Sequence, residues 1–151
     1  MTKKLSFLQL STAAKALEFS LLVSRTNAEL ARRLDRRLGA LHGLSFVDFT
    51  VLNELARDPG GKLRRVELAE KLGLTQSAVT RILVPLEKIG LVSRHPDPND
   101  ARVGYAALTK TGRTLWEEAT ETAEEACGDL LSGIADDEFV AAMTAFQRIV
   151  R

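Results

Sequence analysis

Residues 74–112 constrain the fold more than any other part of this chain. They read as an amphipathic helix, two short strands joined by a charged tip, and the start of another helix. Thr75 can cap the first of these helices, and Gly90 can end it in the left-handed conformation that glycine tolerates. The strands are predicted at 91–95 and 102–108, with the turn at 96–99. The segment therefore predicts a helix with a β-hairpin directly after it.

Two more helices are predicted before this segment. One runs from Ser45, a good N-cap, to the Asp-Pro-Gly-Gly turn at 58–61, and the next spans about 64–72. Gly73 then supplies a tight turn into the helix that begins at Thr75. Two helices joined by a short glycine-containing turn have the spacing of a helix-turn-helix.

Long amphipathic helices are predicted at both ends of the chain. The first starts at Ser11 or Thr12 and runs to about Leu41, some 45 Å at 1.5 Å per residue. This is longer than a small helix-turn-helix core, so part of its apolar stripe needs cover, most simply from a second copy. The stripe comprises Leu10, Ala14, Leu17, Leu21, Ser24, Ala28, Ala31, Leu34, Leu38 and Leu41.

The C-terminal part predicts one helix from Thr109 to about Leu131 and another from about Asp136. Acidic residues at 136–138 suit the positive end of a helix dipole. The apolar stripe of this last helix is Phe139, Met143, Phe146 and Val150.

The outer face of the helix that follows Gly73 predicts DNA binding. Its side chains are short polar groups and a guanidinium, which can reach base edges and phosphates. The alternative is an ordinary solvated helix face. This face comprises Thr75, Gln76, Ser77, Thr80 and Arg81. Other cations near it are expected to contact phosphates or simply to be solvated, namely Lys62, Arg64, Arg65 and Arg94.

The hairpin and the helix after it resemble the MarR family of winged helix-turn-helix regulators. The wing pattern of that family is Asp-x-Arg, five residues, then Leu-Thr-x-x-Gly. This sequence meets it with Asp100, Arg102, Leu108, Thr109 and Gly112. The resemblance extends over about residues 10–150.

The resemblance implies a mainly α (α+β) winged helix-turn-helix with a two-stranded wing and long terminal dimerisation helices. The N-terminal half of the fourth helix would enter the major groove, Asp100 would orient the hairpin, and Arg102 would enter the minor groove. The expected division is a dimerisation helix at 1–42, a DNA-binding core at 43–109, and helices completing the dimerisation region at 110–151. Pro85 departs from the family, which usually carries a polar residue there. We expect a bend in the helix at Pro85, or a proline tolerated on the solvent side.

Charge is unevenly distributed along the chain, although the net charge is only +1. Residues 1–105 contain 17 Lys and Arg against 11 Asp and Glu, whereas residues 106–151 contain 4 against 9. A basic front and an acidic tail fit a DNA-facing module with a remote dimerisation arm. A chance asymmetry is the alternative.

The remaining reactive side chains indicate no cofactor or metal. Cys127 is the single cysteine and is expected to be a small packed group in a helix. His42 and His95 lack the spacing of a zinc site. By the family resemblance, His42, Phe46 and Phe49 could line a cleft for a small aromatic or phenolic effector. Alternatively, these three residues are simply core or surface.

No signal peptide, membrane-spanning run or catalytic constellation is found in the sequence, so we expect a cytoplasmic protein without enzymatic activity. The favoured function is a homodimeric, sequence-specific regulator on a pseudo-palindromic operator in double-stranded DNA. We expect it to be a repressor controlled by a small molecule. The alternative is a winged-helix module for protein–protein contact without specific DNA binding, for which acidic or apolar groups would be expected on the fourth helix.

Overall fold

The computed structural model describes residues 11–97 and 104–150. These residues form helices and one small sheet. In chain order the elements are α1 (Thr12–His42), α2 (Phe46–Arg57), β1 (Lys62–Arg64), α3 (Arg65–Leu72), α4 (Gln76–Lys88), β2 (Val92–Pro96), β3 (Gly104–Leu108), α5 (Lys110–Leu131) and α6 (Asp136–Ile149). This is the expected mainly α winged helix-turn-helix. The chain forms two compact units, Met1–Arg33 and Leu34–Arg151.

Short polar side chains begin the helices where the sequence predicts them. The Ser45 hydroxyl accepts the Asp48 N–H at 3.1 Å, and the Asp48 carboxylate accepts the Ser45 N–H at 2.9 Å, which makes a complete capping box. The Thr75 and Thr109 hydroxyls likewise accept a backbone N–H three residues ahead and cap α4 and α5. The predicted starts of these three helices are therefore confirmed.

The sheet contains one strand more than the two-stranded wing predicted from the sequence. Its order is β1-β3-β2, and both pairings are antiparallel. Arg64 pairs with Tyr105 across β1 and β3, and Val92 pairs with Leu108 across β2 and β3. The third strand, β1, has only three residues, which is too short for an alternating pattern to be recognised.

The core of the second unit is built mostly from leucine, valine and alanine. It gathers side chains from the end of α1, from α2 to α5 and from the sheet, namely Leu34, Leu38, Leu44, Val51, Leu52, Leu55, Leu63, Leu68, Ala69, Val79, Leu83, Leu86, Leu91, Val92, Ala106, Ala119, Ala123 and Ala126. Val66 lies roughly 200° around α3 from buried Leu68 and is 40% exposed.

α1 is partly buried and partly exposed along its length. Leu34 and Leu38 near its C-terminal end are buried, whereas Leu17 and Leu22 are each 61% exposed. Leu10, the first member of the predicted stripe, lies outside the described residues. Among the described helices, none has the length and apolar character required to cross a membrane.

Pro85 lies inside α4 without ending it. Its side chain is exposed, and its carbonyl accepts the Ile89 N–H at 3.1 Å, so the helix continues past the proline. The missing proline N–H deprives the Arg81 carbonyl of its usual intrahelical donor. The position fits a proline tolerated on the solvent side, and a bend at this point stays a prediction.

The Leu-Thr-x-x-Gly motif forms a tight corner between β3, α5 and the end of α4. The Thr109 hydroxyl donates to the Gly90 carbonyl at 2.6 Å and accepts the Gly112 N–H at 2.9 Å. The Thr109 N–H donates to the Leu91 carbonyl at 3.1 Å. A Cβ atom added at Gly112 would overlap that same carbonyl oxygen. Glycine is therefore required at this position by space rather than by backbone conformation.

We expect Gly112→Ala to lower the free energy of unfolding by on the order of 3 kcal/mol, because the backbone of Leu91 has to move. Gly128→Ala is the matched control on the same helix, since a Cβ there meets nothing within 4 Å. It is expected to raise the stability by about 0.5–1 kcal/mol through helix propensity. Urea denaturation at one fixed protein concentration measures both, and equal stability changes in the two variants would contradict the close contact.

Candidate nucleic-acid interface

The turn between α3 and α4 depends on a left-handed glycine. Gly73 has φ +63°, and it ends α3 with hydrogen bonds to the carbonyls of that helix's last turn. The Leu74 N–H donates to the Ala69 carbonyl at 2.9 Å. Such a glycine ends a helix without the steric cost that a Cβ atom would bring. The chain thus passes from α3 into α4 through only three residues, Gly73, Leu74 and Thr75.

α4 has one buried face and one polar face. Val79, Leu83 and Leu86 are buried in the core. On the other side, Gln76, Ser77 and Arg81 are exposed, and none of their side chains has a partner within the part of the chain that the structure describes. The first turn also carries backbone N–H groups that point out of the helix end, which favours an anion there.

Two of the predicted contact residues hold the backbone of this helix. The Thr75 hydroxyl accepts the Ala78 N–H at 3.2 Å as the N-cap. Thr80 is half-buried, and its hydroxyl donates to the Gln76 carbonyl at 3.0 Å. Each hydroxyl keeps acceptor capacity. Their main effect in the free protein is nevertheless to fix the position of the polar face.

Arg94 lies on β2 and is exposed. Its guanidinium lies beside Gly104 of β3, where a Cβ atom would stand 2.8 Å from the Arg94 Nε. The register pairs Arg94 with Ala106, so the side chain extends along the hairpin toward its tip. The other two predicted wing residues, Asp100 and Arg102, lie outside the described residues.

A polar cluster near the tip end of the two wing strands was not predicted from the sequence. The Arg64 guanidinium donates to the Tyr105 hydroxyl from Nε at 3.1 Å and from Nη2 at 2.9 Å. The Tyr105 hydroxyl in turn donates to the Asp97 Oδ2 at 3.0 Å, and Arg64 forms an ion pair with the same oxygen at 3.5 Å. The Lys62 ammonium lies 4.8 Å from the centre of the Tyr105 ring.

Arg64 therefore differs from a free surface cation. Its hydrogen bond with Tyr105 and the nearby charge of Asp97 raise the pKa of Arg64 above its ordinary value. The alternation along β3 implies that Tyr105 faces away from buried Ala106. The hydrogen bond between Tyr105 and Arg64 could not be predicted, because β1, which carries Arg64, is not recognisable from sequence alone.

The predicted effector residues lie where α1 ends and α2 begins. The His42 Nε2 is 2.8 Å from the Thr122 Oγ1, which links the end of α1 to α5. Phe46 and Phe49 are half-buried and pack against the core. Trp116 on α5 also packs against this core. Polar contacts also border these apolar side chains, since the Phe46 N–H donates to the Asp35 carboxylate at 2.7 Å and the Trp116 Nε1 donates to the Asn53 Oδ1 at 3.4 Å.

Cys127 is half-buried on α5 and packs against the core, as expected for a small structural group. Burial raises the pKa of its thiol. The thiolate, which is the reactive form, is therefore disfavoured at neutral pH.

The fold and the polar α4 face define a winged helix-turn-helix protein. The model of the MarR family matches residues 42–103. The transcriptional regulator BldR from Sulfolobus solfataricus has a similar structure with a TM-score of 0.81, 26% identity, and coverage of 92% of this chain and 99% of that one. A MarR family regulator from Rhodococcus sp. RHA1 has a TM-score of 0.81 and 27% identity, covering 89% of this chain and 94% of its own.

A third similar structure was solved with DNA. It is Sco3205, a MarR family transcriptional regulator from Streptomyces coelicolor in complex with DNA, with a TM-score of 0.79, 27% identity, and coverage of 94% of this chain and 88% of that one. The chain thus matches the MarR family model over residues 42–103, and the similar structures from Streptomyces coelicolor and Rhodococcus sp. RHA1 are MarR family transcriptional regulators.

Proposed function

We propose that this regulator binds a specific, pseudo-palindromic DNA site with α4 in the major groove and the wing in the adjacent minor groove. The observation that carries the proposal is the exposed face of Gln76, Ser77 and Arg81 on a helix whose opposite face is locked in the core. The DNA complex of Sco3205 supports the same use of the fold. Arg94, Asp100 and Arg102 would complete the interface from the wing.

The proposed assembly is a homodimer formed by residues 1–42 and 110–151, with the DNA-binding core at 43–109. On α6, Phe139, Val140 and Met143 are 43%, 63% and 46% exposed in the single chain. Apolar stripes of this kind usually mark an interface. A two-fold dimer would place two copies of α4 about 34 Å apart, as recognition of two half-sites requires.

The proposed regulation is repression released by a small aromatic or phenolic molecule. His42, Phe46 and Phe49 are offered as its contacts because an imidazole and two aromatic rings suit an aromatic acid. Cys127 has no part in this proposal, since its packed thiol is a poor sensor of oxidants.

For DNA contact, we expect Arg81→Ala to lose sequence preference and to cost about 1–3 kcal/mol of binding free energy, as for a guanidinium that reads a guanine. Arg102→Ala is expected to lower the salt slope of binding by about one unit, because one charge near the phosphates is lost. Lys88→Ala, at the opposite end of α4, is the matched control and is expected to retain operator affinity.

Fluorescence anisotropy across a salt series, on DNA that flanks the protein's own gene, measures these quantities. Unchanged affinity in both Arg81→Ala and Arg102→Ala would reject this contact map. A wild-type chain that binds no DNA with preference would instead favour the protein–protein contact module.

For assembly, we expect Met143→Glu to dissociate the dimer and to weaken operator binding, because two carboxylates would meet in an apolar interface. Ala141→Glu, on the opposite side of α6, carries the same charge and is expected to remain dimeric. Removal of residues 136–151 is expected to have the same effect as Met143→Glu. Sedimentation velocity measures the mass, and a full-length chain that is monomeric at micromolar concentration would contradict the assignment.

For oxidation, we expect peroxide treatment to weaken DNA binding by the wild type no more than it weakens DNA binding by Cys127→Ser.

For the effector, benzoate and 4-hydroxybenzoate, used as probes, are expected to weaken DNA binding of the wild type and to weaken that of Phe49→Ala less. Fluorescence of Trp116, the single tryptophan, can follow their binding directly. A peroxide response that disappears in Cys127→Ser would overturn this view of the signal, and probes that fail to bind would exclude simple aromatic acids.

A further inference from the structure

Arg64 takes part in three structural elements at once. It is the last residue of β1, and its backbone forms the N-cap position of α3, with φ −73° and ψ 156°. Its backbone N–H donates to the Glu67 carboxylate at 2.6 Å, which holds the start of α3. Its side chain reaches the wing. The Arg64 side chain therefore links the start of α3 to the hairpin, in addition to the pairing of β1 with β3.

The Arg64 side chain contacts residues from both halves of the wing hairpin. Tyr105 lies on β3 opposite Arg64 in the register, and Asp97 follows the last residue of β2. The Tyr105 hydroxyl accepts from Arg64 and donates to Asp97, so one oxygen bridges the two charges. The Asp97 side chain is only 10% exposed, whereas that of Arg64 is 44% exposed. The Asp97 end of this chain of hydrogen bonds is thus shielded from solvent, whereas the Arg64 end is exposed to it.

We propose that Arg64, Tyr105 and Asp97 form a clamp that fixes the angle of the wing against α3 and α4. Arg64 is then a positioning residue for DNA binding rather than a phosphate contact. The role in DNA binding rests on the proposed function above, whereas the clamp itself does not.

The directions of the hydrogen bonds favour this role over a phosphate contact. Two N–H groups of Arg64, on Nε and on Nη2, are directed at the Tyr105 oxygen. Binding a phosphate with the same two groups would break both bonds. The ammonium of a lysine carries all three N–H donors on one nitrogen, so it cannot place two separate nitrogens against the Tyr105 oxygen. Lys62, above the Tyr105 ring, is the neighbouring cation that remains available to the solvent side.

Operator binding distinguishes the two roles. We expect Arg64→Lys and Tyr105→Phe each to lower operator affinity about ten-fold, the loss of one charge-assisted hydrogen-bonded link, with an unchanged salt slope. Arg64→Ala is expected to lose no more than Arg64→Lys. Ser93→Ala is the matched control, because its hydroxyl on the same sheet face bonds His95 and the Ala107 carbonyl outside the clamp. If Arg64→Lys keeps full affinity while Arg64→Ala lowers the salt slope by one unit, Arg64 is a phosphate contact and the clamp is refuted.

A second measurement needs no DNA. Spin labels at Pro96→Cys in the wing and Arg57→Cys at the end of α2, in a Cys127→Ser background, report the wing position as a distance distribution. Within one protomer we expect Tyr105→Phe and Arg64→Lys to broaden this distribution, and Ser93→Ala to leave it as narrow as in the parent. An unchanged width in both clamp variants would overturn the proposal. A wild-type chain that binds no DNA would overturn the proposed function instead, because the width of the distance distribution tests the clamp without DNA.

Discussion

The close approach of the first turn of α5 to the end of α4 determines how the winged core is assembled. Gly112 lies so near the Leu91 carbonyl that no side chain fits between them, and the Thr109 hydroxyl bridges Gly90 and Gly112. β3 runs directly into Thr109. The base of the wing and the C-terminal end of α4 therefore share one anchor, which is made of backbone groups and a single hydroxyl.

A second anchor lies at the other end of the same strand. Tyr105 is held by Arg64 at the start of α3, whereas Leu108 leads into the corner at Thr109. β3 has five residues and is the central strand of the sheet. Near one end it is bonded to Arg64 at the start of α3. Just past its other end, Thr109 is bonded to the Gly90 and Leu91 carbonyls that follow α4. These two sets of hydrogen bonds can keep the wing and α4 in a constant relation.

The features that the sequence predicts correctly are local ones. Ser45, Thr75 and Thr109 each bond a backbone N–H three residues ahead, so the residues that decide a helix start are visible in a short window. β1 was missed because its three residues are defined only by pairing with β3, about forty residues away. Arg64 was predicted to be a phosphate contact or a solvated cation for the same reason. The polar face of α4 was predictable from periodicity, whereas the bonds that fix the wing against it depend on that distant pairing.

The small net charge makes this fixed geometry important for the proposed function. A chain with a net charge of +1 gains little long-range attraction to DNA from its overall field. Affinity would then depend on α4 and the wing reaching their grooves together, so that the second contact becomes an intramolecular event. The benefit of such linkage is lost when the two elements cannot engage at the same time. A wing anchored at both ends of β3 meets this requirement before DNA is bound. The conformational entropy of ordering the wing is then lost on folding and does not reduce the binding free energy.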